Sequence, residues 1–115
     1  MSIKIIEQPI TRNELTELAK ERFGDLIKAV VDIERGIMAV GGELHVDEEQ
    51  MLLEAGSKQE NLWGINIYPE RTKETWIEFD SMINLRPRQG NRSRSVDNQT
   101  TQMQIKTIVG KLVTP

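Results

Sequence analysis

Apolar positions follow a period of 3.6 near both ends of the chain and a period of 2 between them. Leu15, Leu18, Ala19 and Phe23 recur at i, i+3, i+4 and i+8, one stripe of a helix, and Gly24 follows as a stop signal. Thr11 and Glu14 ahead of the stripe have capping-box form, a hydroxyl that can accept from the amide three residues on and a carboxylate that can reach back. The pattern predicts a helix over residues 12–23. At the other end Ile105, Ile108, Val109 and Leu112 recur at i, i+3, i+4 and i+7 behind Asp97 and Asn98, either of which can cap, and predict a helix over 98–112.

Between the helices the alternation is that of strands. Ile3, Ile5 and Ile6 before Pro9 read as a short strand or a docked arm. Ile27, Ala29, Val31 and Ile33 alternate with Lys28, Val30, Asp32 and Glu34, and Glu34-Arg35-Gly36 supplies a reversal before Ile37 to Val40. That is a β-hairpin, although Asp25 to Ala39 could also form a helix. Glu43 to Glu54 is ambiguous between a short helix capped by Asp47 and a strand, and the strand is preferred because Leu62 to Tyr68 beyond the next turn is itself a strand. Thr75 to Leu85 alternates throughout and predicts a long strand. The fold class is therefore α+β: an antiparallel sheet with an N-terminal and a C-terminal helix packed on one face, in one domain over residues 1–115.

Composition narrows the classes. The absence of cysteine removes disulfides, thiol nucleophiles and thiolate metal sites, and fits a cytoplasmic protein. No apolar run approaches a membrane span and no signal peptide is visible. The chain is acidic, with a net charge of −3 and a pI near 5.2, which argues against coating nucleic acid nonspecifically. Against that background, residues 86–94 hold four arginines and no acid.

Arg86, Arg88, Arg92 and Arg94, with Asn91 and Ser93, form a candidate anion-binding loop. The guanidinium fork matches phosphate or carboxylate, the following helix offers free amides, and Gly90 and Asn91 permit a backbone nest. The alternative is that the arginines pair with the chain's own carboxylates, such as Asp80, Asp47 or Glu48, and fasten the loop. No glycine-rich phosphate loop or dinucleotide fingerprint is present.

A second cluster follows Gly41-Gly42. In an extended segment His45, Asp47 and Glu49 would project to one side, with Asp32 able to join from the hairpin. The lone histidine argues against a metal site, and no cofactor is implied. As a catalytic set, His45, Asp47 and Asp32 would offer a general base and carboxylates. Ser57 or Ser81 could complete a Ser-His-Asp set on paper, without the Gly-x-Ser-x-Gly elbow that would support it. Trp63 and Trp76 read as core or dimer-interface residues rather than base-stacking platforms.

The phrases Lys28-Ala29-Val30-Val31-Asp32-Ile33-Glu34, Gly41-Gly42-Glu43-Leu44-His45, Leu62-Trp63-Gly64-Ile65-Asn66 and Asn91-Arg92-Ser93 resemble those of a family of small prokaryotic proteins known as a domain of unknown function. The resemblance spans most of residues 25–95. It implies a microbial protein and carries no activity with it.

The residues favour a binding or interaction module whose arginine loop holds a phosphate, a nucleic-acid backbone or a partner's carboxylates, with a homodimer as the expected assembly. The alternative is a small hydrolase-like enzyme in which His45, Asp47 and Asp32 act on an anionic substrate held by Arg86, Arg88 and Arg92. The two differ in geometry. The enzyme requires the His45 segment and the arginine loop to line one pocket.

Overall fold

The computed structural model describes residues 3–115. The element order is β1 (Lys4–Ile6), β2 (Ile10–Thr11), α1 (Arg12–Lys20), β3 (Ile27–Asp32), β4 (Ile37–Val40), α2 (His45–Glu54), β5 (Leu62–Ile67), β6 (Ile77–Glu78), α3 (Gln99–Leu112) and β7 (Val113–Thr114). Five strands form an antiparallel sheet in the order β1-β4-β3-β5-β6. The two-residue strands β2 and β7 pair in parallel and tie the start of α1 to the end of α3.

Alternation along the strands sorts side chains between two apolar clusters. Ala29 and Val31 of β3, with Met38 and Val40 of β4 and Trp63, Ile65 and Ile67 of β5, share a cluster with Leu15 and Ala19 of α1 and Ile105, Val109 and Leu112 of α3. Val30, Ile37, Ala39 and Leu62 share a smaller one with Leu52 of α2. Both tryptophans are buried. The predicted helix starts hold: Thr11 Oγ1 accepts from the Glu14 amide and Asn98 Oδ1 from the Thr101 amide. The first helix ends at Lys20, and Gly24 closes the turn beyond it at φ 93° by donating to the Ala19 carbonyl.

Two segments differ from the sequence reading. Residues 45–54 are helix, not the preferred strand. The buried stripe of that helix is His45, Glu48, Glu49 and Leu52, so the helical spacing is present but polar residues carry most of it, and a hydrophobic pattern does not register it. Within Thr75 to Leu85 just Ile77 and Glu78 are strand, followed by a 3-10 turn over Met82–Asn84 that Ser81 caps. The ladder stops because the Asn84 carboxamide takes the place of a neighbouring peptide group at Gly64: its Oδ1 accepts from the Gly64 amide at 2.8 Å and its Nδ2 donates to the Gly64 carbonyl at 2.9 Å.

Candidate functional site

Gly64 is the point on which the site is built. A Cβ there would lie 2.6 Å from Ser81 Cβ and Oγ and 3.2 Å from His45 Cδ2, so the missing side chain lets the N-terminus of α2 and the Ser81 segment close over β5. Next to this contact opens a cleft of about 320 Å³. Its floor is Lys28 and Asn66, directly paired across β3 and β5. Leu44, His45 and Val46 form one wall, Asp80 to Ile83 the other, and Arg94 stands at the edge. Leu44, Val46 and Met82 are each more than half exposed and make an apolar rim.

His45 is 8 % exposed, and its Nε2 lies 2.7 Å from the Ile65 carbonyl oxygen. The carbonyl can only accept, so Nε2 carries the proton. Burial, the largest cause, holds the imidazole below its ordinary range, and nearby Lys28 acts in the same direction. The ring is neutral at pH 7, with Nδ1 left as an acceptor that makes no hydrogen bond among the described residues. Asn66 is equally buried; its Nδ2 donates to Glu78 Oε1 at 2.8 Å, while its Oδ1 has no partner. Arg94 donates from Nε to Asp80 Oδ1 at 2.8 Å, which leaves both of its Nη groups free of protein acceptors among the described residues. No side chain caps α2, whose first turn adds positive potential at the His45 end.

The arginine run does not converge on one point. Arg86 donates from Nη1 to the Gln59 carbonyl at 2.6 Å and from Nη2 to the Leu62 carbonyl, and stacks 4.2 Å from the Trp63 ring centroid. It thus closes the edge of β5 that β6 leaves uncovered. Arg88 and Arg92 are exposed, with no side-chain partner among the described residues. Asn91 is buried and ties the loop from within, donating to the carbonyls of Asn84, Ser93 and Ser95 while its Oδ1 accepts from the Asp97 amide. The Asp97 carboxylate accepts from Ser93 Oγ and the Arg92 amide, which hold it below the usual carboxylate range. An internal carboxylate therefore sits at the backbone amide ahead of the last helix.

The remaining sequence candidates lie apart from the cleft. Asp32 caps the hairpin turn, its Oδ1 accepting from the amides of Glu34 and Arg35. Asp47 is exposed on α2, because helical rather than extended backbone turns it away from His45. His45 and Arg94 share the cleft, but Asp32, Asp47 and the arginines expected to hold a substrate, Arg86, Arg88 and Arg92, do not line it. Among the described residues no group of three or more His, Cys, Asp or Glu side chains is arranged to hold a metal ion.

Lys28 and Asn66 are the polar cleft residues that the sequence reading did not single out; Asp80 was expected as a partner for the arginines, and it pairs with Arg94. One signal pointed to the first two: a glycine inside an otherwise apolar strand marks a close approach. Glu48, expected as a possible partner for the arginines, is instead fully buried on α2 and accepts from the Gly42 amide at 2.8 Å. Burial pushes its carboxyl up to about 9 despite that bond, so it is a neutral acid at pH 7.

No curated protein and no solved structure matches the chain. A family model described as protein of unknown function (DUF5674) matches residues 4–112, nearly the whole length, and the chain belongs to that family.

Proposed function

We propose that the protein is a small-ligand binding module that holds an anionic group, a carboxylate or a phosphate, in the cleft between the start of α2 and the Asp80 to Ile83 segment. One observation carries the reading: Lys28, Arg94 with no protein acceptor at its Nη groups among the described residues, and the first residues of the uncapped α2 line one cleft, in which Asp80 is the one carboxylate. In the cleft Lys28 supplies a point charge and Arg94 a planar fork. The apolar rim lowers the local dielectric and strengthens both. The volume, about 320 Å³, lies near the lower end of the ~300–1,000 Å³ typical of small-molecule sites, which suits a metabolite-sized ligand better than a polymer. Of the arginine run, Arg94 serves the site and Arg86 the fold.

Calorimetric titration with inorganic phosphate and with short carboxylates tests this. Binding should weaken about tenfold in Arg94→Gln and in Lys28→Met, the cost of about one charge-assisted hydrogen bond, and stay within twofold in Arg88→Gln and Arg92→Gln. Equal losses in all four variants would move the site to the exposed loop.

A further inference from the structure

The cleft offers more than positive charge. One acceptor on the mostly buried His45, Nδ1, makes no hydrogen bond among the described residues. The Asp80 carboxylate uses Oδ1 for Arg94 and keeps Oδ2 free of hydrogen bonds among the described residues. A simple anion would engage Lys28 and Arg94 and give neither of these two acceptors a donor. The apolar rim of Leu44, Val46 and Met82 would also stay uncovered.

We infer that the ligand is a free α-amino acid with an aliphatic side chain: its carboxylate on Arg94 and Lys28, its ammonium between Asp80 and His45 Nδ1, and its side chain against Leu44, Val46 and Met82. The inference rests on the proposed anion site and adds the cationic and apolar parts of the ligand. An ammonium can donate to both open acceptors and keep its third donor for water. The bidentate fork of Arg94 fits a carboxylate as well as it fits a phosphate, and Asp80 discriminates: it repels a second negative oxygen and attracts an ammonium.

The test compares L-leucine, 4-methylpentanoate (leucine without its amino group) and inorganic phosphate by calorimetry, on the wild type and on Asp80→Asn. Leucine should bind at least about tenfold more tightly than 4-methylpentanoate, and Asp80→Asn should weaken leucine more than 4-methylpentanoate and so remove most of that preference. Asp80 is half-exposed and near-isosteric with asparagine, so an unchanged melting temperature will show that the variant is folded. If 4-methylpentanoate binds as tightly as leucine, or phosphate binds and leucine does not, the amino-acid inference falls while the anion site stands. If none of the three binds, both fall. A leucine preference that survives Asp80→Asn undiminished would overturn the placement of the ammonium.

Discussion

One side of the sheet carries Ala29, Val31, Ile65 and Ile67 and is joined by Leu15 of α1 and Ile105 and Val109 of α3; the other carries Lys28, Gly64 and Asn66 and meets His45, Ser81 and Asn84. The first arrangement gains from apolar burial and asks for shape complementarity alone. The second places polar groups out of water and must find each a partner, which it does completely for Asn84 and partly for Asn66 and Glu48. Of the unpaired buried atoms Asn66 Oδ1 belongs to a cleft residue, whereas Glu48 Oε1, Asp32 Oδ2 and Trp63 Nε1 lie on residues that do not line it.

The largest effect should come from the apolar side. Ile65→Ala, at a fully buried position, should lower unfolding free energy in urea by about 2–5 kcal/mol. Ligand affinity should survive, since the side chain points away from the cleft face. A stability change under about 1 kcal/mol would mean that this side packs loosely.

On the polar side Asn84→Ala should cost about 1–3 kcal/mol, because it strands the Gly64 amide and carbonyl together. Unlike Ile65→Ala it should also weaken binding, since Asn84 donates to the Arg94 carbonyl and anchors the Ser81 segment. Intact affinity in this variant would break the comparison between the two sides.

A smaller effect per unit of pH comes from Glu48. Its carboxyl is raised on folding from the ordinary 4.5 to about 9, so the folded protein binds the extra proton and stability is fully present below 4.5. That stability is lost as pH rises toward 9, by up to about 1.4 kcal/mol per unit. His45, held below its ordinary range, acts oppositely on the acid side of that range. Comparing wild type with Glu48→Gln isolates the first group: the wild-type disadvantage should grow from pH 5 to pH 9. Parallel pH curves would show Glu48 to be ionised in the fold.

The apolar side was legible in the sequence and the polar side much less so. α1, the β3-β4 hairpin, β5 and α3 announce themselves by period and by caps at Thr11 and Asn98, because the residues that face their partners are apolar. α2 escaped because His45, Glu48 and Glu49 face inward, and the predicted strand to Leu85 failed because Asn84, a side chain 20 residues away, supplies Gly64 with its hydrogen bonds. His45 and Arg94 were visible as candidates through their chemistry. Asp80 was visible as a partner for the arginines, and Lys28 and Asn66 join through strand register and the approach at Gly64, which no local pattern encodes.

The central claim is that the cleft on the polar side, rather than the exposed arginines of the loop, is the binding surface. Amide chemical-shift mapping by NMR during titration with L-leucine and then with phosphate tests it most directly. Shifts should cluster at Lys28, Leu44 to Val46, Asn66, Asp80 to Ile83 and Arg94, with α1 and α3 silent. Shifts centred on Arg88 and Arg92, or none at all at millimolar ligand, would contradict the account.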